Sequence, residues 1–163
     1  MPIFGRGFKA HVTSSCHDET GKRNLIDVSS LDKFVRRLSN KIAKHKEEIT
    51  IVDRDYEGAD VVLVSYGAVA RAASAAAGLA RDAGIAAGTL RLVTAWPFPD
   101  HEIERMAARA RHVIVLENNL GQMYPYIKAA AAPFAGVSFL PPKLLGQIQD
   151  PEDILGRIRE VLR

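Results

Sequence analysis

Cysteine is almost missing. Cys16 is the single one in 163 residues, so no internal disulfide forms and the chain by itself cannot hold a zinc ion or an iron–sulfur cluster through thiolates. Long apolar runs are missing too, since none approaches the roughly 20 residues that span a bilayer. The start, Met1-Pro2-Ile3-Phe4-Gly5-Arg6-Gly7, lacks the charged segment and uninterrupted apolar stretch of a signal peptide. Charge of one sign is scarce: 22 Lys and Arg stand against 19 Asp and Glu, a net +3 spread along the chain. That is not the dense basic block of a dedicated nucleic-acid binder. Neither Gly-x-Gly-x-x-Gly nor Gly-Lys-Ser/Thr occurs, so ordinary dinucleotide and P-loop sites lack their fingerprint. The expected setting is a reducing cytoplasm, with no membrane and no nucleic acid as partner.

What is there is 47% apolar and 25% charged, the composition of one globular domain large enough to bury a core. Residues 1–30 show weak periodicity and read as an extended or looped arm. From Ser30 the pattern turns helical, with Leu31, Phe34, Val35, Leu38 and Ile42 on one stripe and Ser29 or Ser30 available as cap. The opposite face carries Lys33, Arg36, Arg37, Lys41 and Lys44 and reads as a solvated surface.

Beyond it, strands and helices alternate. Val61 to Val64 and Val113 to Leu116 are continuous apolar runs rich in β-branched residues, the pattern of strands covered on both faces. Leu90 to Val93 and Val137 to Leu140 read as further strands. Helices are expected from Ala68 to Asp82, from Pro99 through Ala110, from Gly121 to Ala132, and after Asp150-Pro151. This alternation predicts a mostly parallel sheet with helices on both faces, formed by residues 31–163 behind the arm.

In such sheets, ligands and partners collect beyond the carboxyl ends of the strands. Three loops fall there: Ser65-Tyr66-Gly67, Thr94 to Pro99, and Glu117-Asn118-Asn119-Leu120-Gly121-Gln122. In the third, a carboxylate and amides precede a helix whose free N–H groups can receive an anion or a partner carbonyl; capping by Asn118 or Asn119 is the simpler reading. Trp96 and Phe98 sit beside prolines and are expected to fill the local core rather than to stack on a ligand. Cys16-His17-Asp18-Glu19 places a thiol, an imidazole and two carboxylates in a row, but consecutive residues of an extended chain face opposite ways, so structural hydrogen bonding outweighs metal binding or acid–base work. No complete reaction emerges from these residues alone.

Together, however, the strings His11-Val12-Thr13 with His17 to Gly21, Val64-Ser65-Tyr66-Gly67 with Arg71, Leu90 to Pro99, and Glu117 to Gln122 resemble the C-terminal part of the alpha subunit of 2-oxoacid:ferredoxin oxidoreductases, of the 2-oxoglutarate or branched-chain type. The resemblance runs from about residue 4 to the end, with one departure: Thr13 is followed by Ser14 and Ser15 where the family usually has Gly-Leu. It implies a transketolase C-terminal-type, three-layer α/β/α domain with a five-stranded sheet containing one antiparallel strand. It also implies that the start is the interior of an interdomain connection and the chain a fragment.

The intact enzymes of that family convert a 2-oxoacid and coenzyme A to an acyl-CoA and carbon dioxide while reducing ferredoxin, with thiamine diphosphate, magnesium and a [4Fe–4S] cluster. This chain has no Gly-Asp-Gly diphosphate motif and no cluster cysteines, so by resemblance those cofactors belong to other parts. The implied partners are an upstream pyrimidine-binding domain, a beta subunit and ferredoxin, with a homodimer left open. By carry-over, His17, Asp18 and Glu19 would lie on the connection, and Tyr66, Gly67, Trp96, Glu117, Asn118, Asn119 and Gln122 would shape the edge facing other domains, in positioning rather than bond-making roles. The alternative is a free-standing small-molecule or nucleotide-binding module built on the strand-end loops.

Overall fold

A computed structural model describes Ile3, residues 5–7, 16–18, Thr20, Lys22, Arg23 and residues 26–163. The chain divides into two compact units, residues 1–45 and 46–163. In the first, a turn closes with a bridge between His17 and Arg23, and helix α1 runs from Val28 to Ala43. Asp27 caps α1, its carboxylate accepting from the Ser29 N–H at 3.0 Å and from the Ser29 and Ser30 hydroxyls. The two serines expected as caps are thus donors to a better one, because a carboxylate complements the positive helix end.

The second unit holds α2 (Lys46–Ile49), β1 (Val52–Asp55), β2 (Val61–Tyr66), α3 (Val69–Asp82), β3 (Ala87–Leu92), α4 (Asp100–Ala107), β4 (His112–Leu116), α5 (Tyr124–Ala131), β5 (Gly136–Leu140) and α6 (Pro151–Val161). The strands form one sheet in the order β1-β3-β2-β4-β5. Every pairing is parallel except β1 with β3, so the mostly parallel five-stranded architecture with one antiparallel strand is what the chain adopts. β1 was not legible from periodicity: its sequence is Val-Asp-Arg-Asp and three of its four residues are exposed, as an edge strand permits.

Period-two alternation sorts the strands onto the two faces. Val62, Val64, Leu90, Leu92, Val113 and Val115 pack with Ile103 and Met106 of α4 and Ile127 of α5. Val61, Leu63, Ala87, Ile114 and Leu116 pack with the alanines of α3 and with Ile154 and Ile158 of α6. Central β2 is buried on both faces, which its unbroken apolar run required. Ala72, Ala73, Ala76, Ala77 and Ala80 are all buried on α3; short side chains let that helix approach both the sheet and α6.

Parallel pairing brings the carboxyl ends of β2, β3 and β4 to one edge, with Ser65 opposite both Arg91 and Leu116. The loops that follow these strands therefore share that edge.

Candidate functional site at the carboxyl edge of the sheet

Glu117, one residue past β4, is 1% exposed. Its carboxylate accepts three hydrogen bonds: Oε1 from the Tyr124 N–H at 2.7 Å, and Oε2 from the Met123 N–H at 3.0 Å and the Tyr66 hydroxyl at 2.9 Å. Glu117 thereby caps α5, occupying the N–H groups that the sequence left open to an anion or a partner carbonyl.

Asn119 completes the cluster. Its Nδ2 donates to the Tyr66 oxygen at 2.7 Å, while its Oδ1 accepts from the Gly121 and Gln122 N–H groups at 2.8 and 2.9 Å. These last two bonds build a tight side-chain turn. α5 starts at Tyr124 and not at Gly121 because Gly121 sits at a φ of +94°, outside the right-handed helical region. Capping at this loop thus comes from Glu117, with Asn119 shaping the turn ahead of it.

Tyr66 is held between Glu117 and Asn119, and Gly67 follows it at a φ of +59°, a left-handed turn that a residue with a side chain rarely adopts. Burial, and then the Glu117 carboxylate, push the Tyr66 phenol above its ordinary value of 10.0. The phenol therefore stays protonated at neutral pH and acts as a fixed donor.

Gln149, just before α6, ties the edge to β5: its Nε2 donates to the Glu117 carbonyl at 2.8 Å and the Leu140 carbonyl at 3.1 Å. Nothing in the sequence singled it out, because a glutamine ahead of an Asp-Pro helix start has no distinctive spacing. Three buried oxygens at this end, Ser65 Oγ, Asn118 Oδ1 and Gln149 Oε1, have no hydrogen-bond partner among the described residues.

Apolar side chains flank these groups on the outside. Leu120 is 79% and Leu145 64% exposed, and with Asn118, Asn119 and Gln122 they line an open depression of about 430 Å³. Trp96 corrects the expectation that it fills the core: it is 70% exposed. Phe98 does pack inward, its ring centroid 5.8 Å from that of Tyr126. Prolines on both sides hold the loop while only one of its two aromatic rings is covered.

The structure thus joins Tyr66, Gly67, Glu117, Asn118, Asn119 and Gln122 at one edge, with Trp96 on the neighbouring β3–α4 loop. His17 and Asp18 belong to the first unit, where Asp18 Oδ1 accepts from the Thr20 N–H and hydroxyl and from the Lys22 N–H. Glu19 lies outside the described residues. Among the described residues no three His, Cys, Asp or Glu side chains gather to hold a metal ion, and no helix is long and apolar enough to cross a membrane.

Comparison with known proteins fits this geometry. Residues 59–154 match the family described as pyruvate:ferredoxin oxidoreductase core domain II. The chain is 38% identical over 159 residues to the 2-oxoglutarate synthase subunit KorA of Methanothermobacter marburgensis, covering 97% of this chain and 42% of that protein. It is 33% identical over 152 residues to the ketoisovalerate oxidoreductase subunit VorB of the same organism, covering 90% of this chain and 43% of that protein. It therefore spans under half the length of these curated relatives. Among solved structures, a 2-oxoglutarate:ferredoxin oxidoreductase from Magnetococcus marinus superposes with a TM-score of 0.79 at 23% identity, over all of this chain and 28% of that one. That likeness is one of fold. On the match of the core-domain model and the identity to these relatives, the chain belongs to the pyruvate:ferredoxin oxidoreductase core domain II family.

Proposed function

We propose that this chain is a non-catalytic assembly and organising domain of a 2-oxoacid:ferredoxin oxidoreductase alpha subunit. The whole enzyme, on this reading, converts a 2-oxoacid and coenzyme A to an acyl-CoA and carbon dioxide and passes the electrons to ferredoxin in the cytoplasm. Thiamine diphosphate, magnesium and a [4Fe–4S] cluster are held by the other parts: the upstream pyrimidine-binding domain, the beta subunit, or both. The relatives named as 2-oxoglutarate synthase and ketoisovalerate oxidoreductase subunits support the reaction class.

The observation that carries the reading is the division of labour at the sheet edge. Its central polar groups face one another: Glu117 takes three donors, one of them the Tyr66 hydroxyl, and Asn119 donates to the Tyr66 oxygen. Its apolar groups, Trp96, Leu120 and Leu145, face outward. A reaction site needs polar groups available to substrate, whereas a rigid polar frame carrying exposed apolar and aromatic anchors suits docking to another protein surface. Tyr66, Gly67, Glu117, Asn118, Asn119 and Gln122 hold that frame, and Trp96 is its anchor. His17, Asp18 and Glu19 act on the connection to the upstream domain.

Co-expression of this chain with the upstream domain and the beta subunit, followed by affinity capture, tests the reading. Association that weakens in Trp96→Ala or Leu120→Ala is the expected result. No association in any combination would remove it, as would turnover of 2-oxoacid by the chain on its own.

A further inference from the structure

In the first unit, a cavity of about 550 Å³ opens between the turn, through His17, Asp18 and Thr20, and α1, through Ser30, Lys33, Phe34 and Arg37. That volume lies in the range of small-molecule sites, roughly 300–1,000 Å³. The four α1 residues recur at helical spacing and share one face, so the cavity runs along about two turns of helix.

Among the described residues its charge is one-sided once the local bonds are followed. Among the described lining residues the acidic group is Asp18, and it is engaged in holding the turn: Oδ1 accepts the Thr20 N–H at 2.9 Å, the Thr20 hydroxyl at 2.6 Å and the Lys22 N–H at 3.1 Å. The Thr20 hydroxyl keeps its carboxyl below the ordinary carboxylate range. The Ser30 hydroxyl is likewise committed, donating to Asp27 at 2.6 Å.

Among the described residues neither Lys33 nor Arg37 is paired with a carboxylate, unlike Arg36 on the same helix, which binds Asp32 at 2.8 Å. Arg37 is nevertheless held in place, its guanidinium 5.7 Å from the centre of the Phe34 ring. Stacking leaves the edge donors of a guanidinium available for an anion and lowers the entropy lost when one binds.

We propose that this cavity is a binding site for a phosphate-bearing small molecule of nucleotide size, with the phosphates on Lys33 and Arg37 and a planar base beside Phe34. A single phosphate would leave most of the volume empty. Both a free nucleotide and the phosphorylated adenosine end of coenzyme A carry this chemistry. The site uses none of the sheet-edge residues and stands or falls separately from the assembly reading.

The test is calorimetric titration of the full chain with ADP, coenzyme A and pyrophosphate, at low and moderate salt. ADP or coenzyme A is expected to bind saturably at one site per chain. Each of Lys33→Ala and Arg37→Ala should weaken that affinity about tenfold, the loss of one charge-assisted contact. Lys41→Ala, on α1 but outside the cavity, should leave it unchanged, and circular dichroism should show the same helix content in all three variants. Tighter binding of coenzyme A than of ADP identifies the coenzyme as the source of the ligand, and equal binding supports a free nucleotide. Pyrophosphate binding as tightly as ADP would overturn a nucleotide-sized site. No saturable binding of any probe at low salt would overturn the proposal, as would equal loss in Lys41→Ala. Tighter, steeply salt-dependent binding of a single-stranded oligonucleotide would also overturn it.

Discussion

Replacing Glu117 is the sharpest perturbation of the sheet edge, because one side chain there holds three donors from two elements. In Glu117→Gln the amide oxygen can stand where Oε2 stood and keep the Met123 N–H and the Tyr66 hydroxyl. Both bonds then lose their charge assistance, which costs about 1 kcal/mol each. The new amide NH2 faces the Tyr124 N–H, whose 2.7 Å bond to Oε1 is lost, leaving a buried donor against another donor at about 1–2 kcal/mol. The sum is about 3 kcal/mol, a large share of the roughly 5–15 kcal/mol typical of a domain, and a melting temperature lower by roughly 6–12 °C for a chain of this size. Glu117→Ala removes all three acceptors and should cost more. Chemical denaturation measures the loss, and amide hydrogen exchange locates it: Met123 and Tyr124 should lose protection while β2 keeps its own. If Glu117→Gln unfolds within about 0.5 kcal/mol of the parent chain and those two amides exchange unchanged, the carboxylate is not the cap of α5 and the frame described above does not exist.

Three further outcomes follow from other contacts. A Cβ at Gly88 would lie 2.5 Å from the Asp55 carbonyl and from Tyr56 Cα, both backbone, whereas one at Gly136 would lie 2.5 Å from Nδ1 of the His112 ring, a side chain bonded to Ser138; urea titration should show Gly88→Ala losing about 3 kcal/mol or failing to fold, and Gly136→Ala, where a side chain rather than backbone must shift, about 1–2 kcal/mol. Glu102, 3% exposed, is held below its ordinary 4.5 first by hydrogen bonding to Arg54 and then by Arg105 and His101, so its contribution is complete above that pH and lost as pH falls through the lower folded value; because Arg54 is half exposed, Glu102→Gln should cost only about 1–2 kcal/mol at neutral pH and flatten the acid limb of a stability profile. Burial, with Arg157 nearby, lowers His112 below 6.5; the unfolded chain then takes up a proton that the folded one resists, stability declines as pH drops from 6.5 toward the folded value, and thermal melts of His112→Gln should lack that decline.

How much of this was legible from the amino-acid order depends on whether a feature repeats. The buried runs of β2 and β4 and the alanine face of α3 announce themselves by period, because burial on two faces or one demands it of every residue in the element. β1 does not, since an exposed edge strand of Val-Asp-Arg-Asp satisfies its backbone by pairing with β3 and buries little. The same distinction holds at the sheet edge. Tyr66, Glu117 and Asn119 were recognisable as a group through the family resemblance, but their mutual bonds span 51 and 53 positions and have no signature in local spacing. Gln149 was missed for the same reason. Trp96 departs from expectation because aromatic residues are usually covered, and local spacing does not distinguish a ring left exposed from one packed inward.

For Glu117 to act as a base it would have to release the α5 cap and the Tyr66 hydroxyl, at a cost of several hydrogen bonds before any proton moved. For Tyr66 to act as an acid it would have to ionise in a buried position beside a carboxylate, and burial first and the carboxylate second already raise its pKa. On the proposed assembly reading both groups serve as struts, held by the bonds that join β2, the loop after β4 and α5, and such rigidity suits an interface, since a preformed surface loses less entropy on association.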